Sequence, residues 1–130
     1  MATLVPKKQE ISEEERFEAN LYKLADLALE KKAKDLKVYN VNGLTVTTDA
    51  LVICTATSEP QVKAVFSAVK EGMREIGKPS IYTEGGYNDG WLIIDFGDIL
   101  FHIFREQARE FYDLDGLWAD APEFKLDLKP

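Results

Sequence analysis

Apolar residues recur at helical spacing in two segments, and each segment begins with a serine that can cap a helix. The first helix is predicted to start at Ser12, with a glutamate three residues later as in a capping box, and to end near Lys34. The second is predicted to start at Ser58, with Gln61 in the equivalent position, and to end at Gly77. Its buried stripe is expected to be Val62, Val65, Phe66, Val69, Met73 and Ile76.

The remaining segments have the patterns of strands. Residues 36–41 form a short strand-like run that ends at an Asn-Gly turn signal. Residues 50–56 are almost continuously apolar, which is typical of a strand buried on both faces, and Cys54 within them is predicted to be a buried structural thiol. Residues 80–83 are predicted to form a further strand. The glycine-rich residues 84–90 lack the phosphate-binding pattern and no helix start follows them, so they are predicted to form a turn.

The block Trp91–Phe104 predicts a hairpin closed by Gly97-Asp98, with paired residues whose numbers sum to 195. One face of this hairpin is entirely apolar and is expected to lie in the core: Leu92, Ile94, Phe96, Ile99, Phe101 and Ile103. The other, called the mixed face here, carries Trp91, Ile93, Asp95, Leu100, His102 and Phe104. On the mixed face, His102 is expected to lie diagonal to Asp95 and Trp91.

These elements predict an α/β protein of one domain, with a mixed sheet flanked by helices in the order αββαβββα. The second helix permits one parallel crossover, the hairpin supplies antiparallel pairing, and the last helix is expected from Arg105. Residues 1–16 are expected to be a flexible N-terminal segment, residues 17–118 the folded domain and residues 119–130 a C-terminal tail. Trp118 is expected to dock back onto the domain.

Composition narrows the classes of function. The 130 residues are 45% hydrophobic, contain no apolar run of membrane-spanning length and begin with a polar, acidic stretch unlike a signal peptide. The single cysteine permits no internal disulfide, which fits a reducing, cytoplasmic location. With 16 basic and 23 acidic side chains the net charge is −7, so free nucleic acid is disfavoured as a partner. A net negative charge of this size either keeps the protein soluble or provides a binding surface for a basic protein.

Residues capable of catalysis or metal binding are few. His102 is the only histidine, and no serine stands in a hydrolase-type elbow, so a pair with Asp95 is expected to be structural. Asp95 and Asp98 offer carboxylate oxygens for a divalent cation, but their spacing around a tight turn predicts opposite directions. No catalytic, cofactor or metal residue is therefore predicted.

Three blocks of the chain, together with the pair Glu84-Gly85, resemble the ribosomal silencing factor family, also called RsfS or iojap. They are residues 57–64, residues 90–104 with the pattern W-hhh-D-h-G-D-hhh-H-hh, and residues 108–114. The resemblance extends from about Phe17 to Trp118. It departs at Glu59-Pro60, where the family has a small or polar residue followed by arginine.

The resemblance implies a factor that is not an enzyme, needs no cofactor and binds the large ribosomal subunit through ribosomal protein number fourteen. It implies that the bound factor blocks joining of the small subunit and represses translation under nutrient limitation. A fold similar to nucleotidyltransferases without their catalytic carboxylates is also implied, as is a possible homodimer. The alternative is a small nucleotidyltransferase-like enzyme that uses Asp95, Asp98 and Ser58 with a divalent metal.

The partner contact is predicted on the mixed face of the hairpin, anchored by Trp91. The predicted contact residues are Trp91, Asp95, His102, Tyr87, Gly85 and Gly86. The glycines allow close approach of another backbone, and Tyr87 adds an amphipathic ring. The structural alternative is that the first or second helix covers this face and makes Trp91 part of the core.

Overall fold

Helices and strands alternate largely as the hydrophobic pattern predicts. The structure, a computed structural model, describes residues 11–127. Its elements are α1 (Glu13–Glu30), β1 (Lys34–Asn40), β2 (Ala50–Ala56), α2 (Glu59–Glu75), β3 (Tyr82–Glu84), β4 (Trp91–Asp95), β5 (Ile99–Arg105), α3 (Glu106–Tyr112) and α4 (Leu114–Leu117). The predicted α/β class with a mixed sheet is confirmed, and the short helix α4 is an addition to the predicted order.

The predicted capping box opens α1. The backbone N–H of Glu15 donates to Ser12 Oγ at 3.1 Å, and the backbone N–H of Ser12 donates to Glu15 Oε1 at 3.0 Å. Residues 13–16 of the segment expected to be flexible are therefore helical, while residues 1–10 lie outside the described residues. The helix ends at Glu30 rather than near Lys34, because Lys32 adopts a left-handed conformation that turns the chain into β1.

The start of α2 differs from a full capping box. Ser58 Oγ accepts from the backbone N–H of Gln61 at 3.2 Å, as predicted. The Gln61 side-chain amide instead donates to the carbonyl oxygens of Lys31 and Lys32 at 3.0 and 2.8 Å. One side chain thus joins the start of α2 to the end of α1. The prediction that Ile76 is buried is wrong, since it caps the helix in an exposed position.

The sheet has the strand order β1-β2-β5-β4-β3, in which only β2 and β5 pair in parallel. The parallel neighbour of β2 is therefore β5, because β3, β4 and β5 form an antiparallel meander that returns to the middle of the sheet. The predicted register of the hairpin is confirmed, with Trp91 opposite Phe104 and Asp95 opposite Leu100. β2 is buried along its whole length, as its continuous apolar run predicts.

Each face of the sheet packs against a different part of the chain. The all-apolar face of the hairpin lies under α1 and α2, where all six of its side chains are buried. The opposite face, which includes the mixed face of the hairpin, packs against Leu114, Trp118 and Ala121. Neither of the first two helices covers the mixed face, so that structural alternative is wrong. The docking predicted for Trp118 is confirmed.

The chain after α4 pairs with the edge of the sheet at β1. Glu123 bridges to Tyr39, the backbone N–H of Asn40 donates to the Pro122 carbonyl at 2.7 Å, and that of Phe124 donates to the Val38 carbonyl at 2.8 Å. Most of the segment expected to be a tail is thus packed on the domain. Within residues 11–127, no helix combines the length and apolar character that a membrane crossing requires.

Candidate partner-binding site

Trp91 lies half-buried on the mixed face, where aromatic neighbours fix its position. Its ring stacks on Phe104 with centroids 4.9 Å apart and contacts Tyr112 at 4.7 Å. Its indole Nε1–H donates to His102 Nδ1 at 3.0 Å. Stacking on one side and a hydrogen bond along the ring plane leave the indole little freedom to rotate. The structure therefore holds Trp91 in one orientation on the face where the contact was predicted.

His102 lies beneath the surface, with only 4% of the residue exposed. Burial lowers the pKa of His102 to about 4, so the imidazole is neutral at pH 7. Because Nδ1 accepts from Trp91, the ring hydrogen lies on Nε2, and Nε2 has no hydrogen-bond partner within residues 11–127. The buried imidazole therefore positions Trp91 from below, and a direct contact of His102 with a partner stays a prediction.

Helix α3 adds two aromatic side chains that the sequence analysis did not select. Phe111 is 80% exposed and Tyr112 is 50% exposed, and their rings meet edge to face at 5.0 Å. We call Trp91, Phe111 and Tyr112 the aromatic patch. Adjacent aromatic residues at this exposure are unusual on a surface without a partner. The signal was present in the Phe-Tyr pair of the third resembling block, but the predicted contact was confined to the hairpin and the glycine-rich loop before it.

The carboxylates of the hairpin turn have structural partners. Asp95 Oδ1 accepts from the backbone N–H of Gly97 at 2.7 Å, and Asp98 pairs with Lys78 Nζ at 2.8 Å. Ser58, the third residue of the enzyme alternative, caps α2. The described residues contain no group of three or more His, Cys, Asp or Glu side chains placed to hold a metal ion. Cys54 is fully buried, which raises the pKa of its thiol to about 12, as expected of a structural cysteine.

Tyr87 does not share a surface with Trp91. Its ring packs edge to face against Phe66 of α2 at 5.8 Å, and Lys63 Nζ lies 5.1 Å from the ring centroid. Since α2 covers the opposite face of the sheet, Tyr87 packs against α2 and not beside Trp91 on the mixed face. The sequence showed a ring near Trp91 but not the direction in which the loop turns.

The two glycines of the predicted contact shape the β3–β4 connection. Gly85 has a φ of +98°, and a Cβ atom there would overlap the backbone carbonyl oxygen of Trp91. A Cβ at Gly86 would lie 3.0 Å from Asp89 Oδ2 in the turn. The backbone that lies close to Gly85 is thus that of Trp91 in the same chain and not that of a partner. A glycine at this position allows the backbone of Trp91 to lie where it does.

Replacing Gly85 with alanine should lower the free energy of unfolding by about 2 kcal/mol or more, because a left-handed conformation and a backbone clash are both imposed. Gly43→Ala is the matched control, since Gly43 has a φ of +82° but nothing within 4 Å of its added Cβ. It should cost about 1 kcal/mol. Urea unfolding of both variants measures the difference, and equal losses would contradict the close approach at Gly85.

A partly buried arginine connects the C-terminal helices to the sheet. Arg109 donates through Nε and Nη2 to Asp115 at 2.9 and 3.1 Å. Its Nη1 donates to the Asp35 carbonyl at 2.7 Å and to Thr55 Oγ1 at 2.8 Å. Tyr39 donates its hydroxyl to Asp115 Oδ1 at 2.8 Å. Burial alone would raise the pKa of Asp115, but the hydrogen bonds from Arg109 and Tyr39 outweigh it and hold that pKa below its ordinary value.

The chain matches known proteins over most of its length. A family described as ribosomal silencing factor during starvation matches residues 14–130. A ribosomal silencing factor RsfS of Halalkalibacterium halodurans is 35% identical over 98 residues, which cover 75% of this chain and 84% of the relative. The mitochondrial assembly of ribosomal large subunit protein 1 of Mus musculus is 30% identical over 99 residues, covering 74% of this chain and 43% of the relative. A crystal structure from Bacillus halodurans is similar with a TM-score of 0.74 and 30% identity, covering 84% of this chain and 99% of that one. The resemblance is confirmed, and the chain belongs to the ribosomal silencing factor family.

Proposed function

We propose that the protein binds the large ribosomal subunit through ribosomal protein number fourteen and blocks joining of the small subunit. Translation is then repressed when nutrients are limiting. Family membership supports a ribosomal silencing factor, and the name of the mouse relative associates that protein with assembly of the large ribosomal subunit. Blocking a joining surface requires affinity and position rather than a reaction, so we propose that the protein is not an enzyme. We propose that it acts in the cytoplasm.

The observation that carries this proposal is the aromatic patch on a rigid base. Tryptophan and tyrosine are the residues that most often supply binding energy at the centre of protein interfaces. In the patch, Trp91 is held by Phe104 and His102, so little conformational freedom is lost when a partner covers it. This preorganisation suits a site whose work is to bind another protein.

The charge around the patch supports a basic partner. Glu110 and Asp113 are exposed next to the aromatic pair of α3, and Asp95 lies half-buried along β4. Acidic side chains at a rim steer a basic protein toward the patch and disfavour nucleic acid. In this proposal Asp95 stays a contact residue at the rim, while His102, Gly85 and Gly86 shape the site from within.

We also propose that the chain can form a homodimer, as the resemblance implies. A second exposed apolar region supports this, since Ile81 and Tyr82 are exposed at the edge strand β3. Sedimentation velocity of the purified chain measures the oligomeric state. A single monomeric species at every concentration would contradict a homodimer.

Tyr112→Ala should reduce co-sedimentation of the protein with purified large subunits and weaken its affinity for the isolated ribosomal protein about thirtyfold. Tyr112 is half-exposed, so truncation removes contact area without opening the core. The unaltered protein is expected to sediment with large subunits and not with small ones.

Tyr87→Ala is the control for this prediction, because Tyr87 is a partly exposed tyrosine on the other side of the sheet. Its affinity should remain within about threefold of the unaltered protein. Equal binding to both subunits, or loss with Tyr87→Ala but not with Tyr112→Ala, would overturn the proposed function or its site.

A further inference from the structure

A small cavity opens next to His102, where neither the fold nor the aromatic patch gives it a role. It has a volume of about 200 Å³ and lies between the sheet, the loop after β1 and helix α4. It is lined by Leu51 and Leu100 of the central strands, by Leu114 and Trp118 of the C-terminal segment, and also by His102 and three threonines of the loop, although most of the lining surface is apolar. Its walls are therefore mostly apolar, and any occupant must be largely apolar as well.

His102 supplies the buried polar group on this apolar wall. Since Nδ1 accepts from Trp91, the ring hydrogen lies on Nε2, an atom that is itself shielded from the surface. Within the described residues Nε2–H donates to nothing. A buried donor without an acceptor is costly, so an occupant whose carbonyl oxygen meets Nε2 as the lining side chains adjust is favoured over a wholly apolar one.

The size of the cavity indicates a side chain rather than a metabolite. Sites for small molecules and cofactors usually measure about 300–1,000 Å³, which exceeds this cavity. A single aliphatic side chain has a volume that fits it, and pockets of this kind receive the anchor residues of protein interfaces.

The charge of the surrounding segments points to a basic protein. The loop of residues 42–49 and the segment of residues 113–120 together contain no lysine or arginine and four aspartates, of which only Asp115 is paired with an arginine, Arg109. Each segment also presents an exposed apolar side chain, Val46 and Leu117. The imidazole that borders the cavity is also the one that orients Trp91, so His102 links the cavity to the aromatic patch.

We propose that this cavity is the socket for an aliphatic anchor residue of the basic ribosomal protein. A backbone carbonyl next to that anchor accepts the hydrogen bond from His102 Nε2. The inference rests on the proposed function and adds to it the chemistry of the partner's central contact.

Plugging the cavity tests the socket. Thr47 lines it from an exposed position in the loop, so Thr47→Phe can fill the opening without disturbing the core. Its affinity for the isolated ribosomal protein should fall at least thirtyfold, with an unchanged melting temperature. Val46→Phe is the matched control, because Val46 is the neighbouring residue, is fully exposed and does not line the cavity. That variant should bind within about threefold of the unaltered protein.

The unaltered protein gives a second measurement. With methyl-labelled leucine, Leu51 and Leu100 should show contacts to an aliphatic side chain of the bound ribosomal protein in nuclear Overhauser spectra. Normal binding by Thr47→Phe would overturn the socket and leave the proposed function standing, whether the cavity then takes a small molecule or water alone. Equal loss in both phenylalanine variants would also overturn it, because crowding of the loop would explain the result. Failure of the unaltered chain to bind would overturn the proposed function itself.

Discussion

Replacing Arg109 with methionine should lower the free energy of unfolding by about 3 to 4 kcal/mol, and the melting temperature by roughly 10 °C. The Arg109 side chain is only 13% exposed, and its guanidinium donates to Asp115, the Asp35 carbonyl and Thr55. Methionine keeps the aliphatic stem but leaves the Asp115 carboxylate half-buried without its cation. Thermal and urea unfolding measure the loss.

Arg74→Met is the matched control for Arg109→Met. Arg74 pairs with Glu71 on the exposed surface of α2, where water screens the ion pair, so its loss should leave the free energy of unfolding almost unchanged. Arg109→Lys should fall between the two results, because lysine keeps the charge but cannot reproduce the forked hydrogen bonds to Asp115. Equal losses in both methionine variants would contradict a structural role for the Arg109 network.

Acidification below pH 6.5 should destabilise the protein through His102. Burial lowers the pKa of His102 to about 4 in the folded state, against about 6.5 when unfolded. Between these two pKa values the unfolded chain binds a proton at His102 that the folded chain excludes. The contribution of neutral His102 to the free energy of unfolding is therefore fully present above pH 6.5 and is lost as the pH falls toward 4. The loss should be about 1.4 kcal/mol per pH unit, about 3 kcal/mol in all by pH 4.

His102→Asn isolates this contribution, because an amide can accept from Trp91 but does not titrate. Urea unfolding at pH 7, 6 and 5 should show a smaller fall in stability for the variant than for the unaltered protein. Parallel curves for the two proteins would show that His102 is not the group responsible.

The sequence predicted those features that depend on near neighbours. Gly97-Asp98 between two apolar runs set the register of the hairpin, and the alternation of side chains then assigned each residue to a face. The continuous run of residues 50–56 likewise identified the buried strand β2. In each case the signal lies within a few residues of the element that it describes.

What covers the mixed face could not be predicted, because it depends on contacts distant in sequence. Asp113 adopts a left-handed conformation that ends α3 and starts α4, which brings Asp115 back to Arg109 across six positions. Residues that pair along one helix are three or four positions apart, so a pair at a separation of six cannot be predicted from helical spacing. The side on which Tyr87 lies was missed for a similar reason, since its partner Phe66 is a residue of α2.

The docking of the C-terminal segment has a consequence during synthesis. A ribosome releases the chain from the N-terminal end, so the sheet emerges before residues 106–127, which cover one of its faces. Until they follow, Ile53 and Phe104 are exposed and the β1 edge has no strand beside it. A nascent chain at this stage presents the apolar surface and open edge on which chaperones and aggregation act. The interval between the emergence of β5 and that of residues 106–127 is therefore the one in which this chain most depends on protection by chaperones.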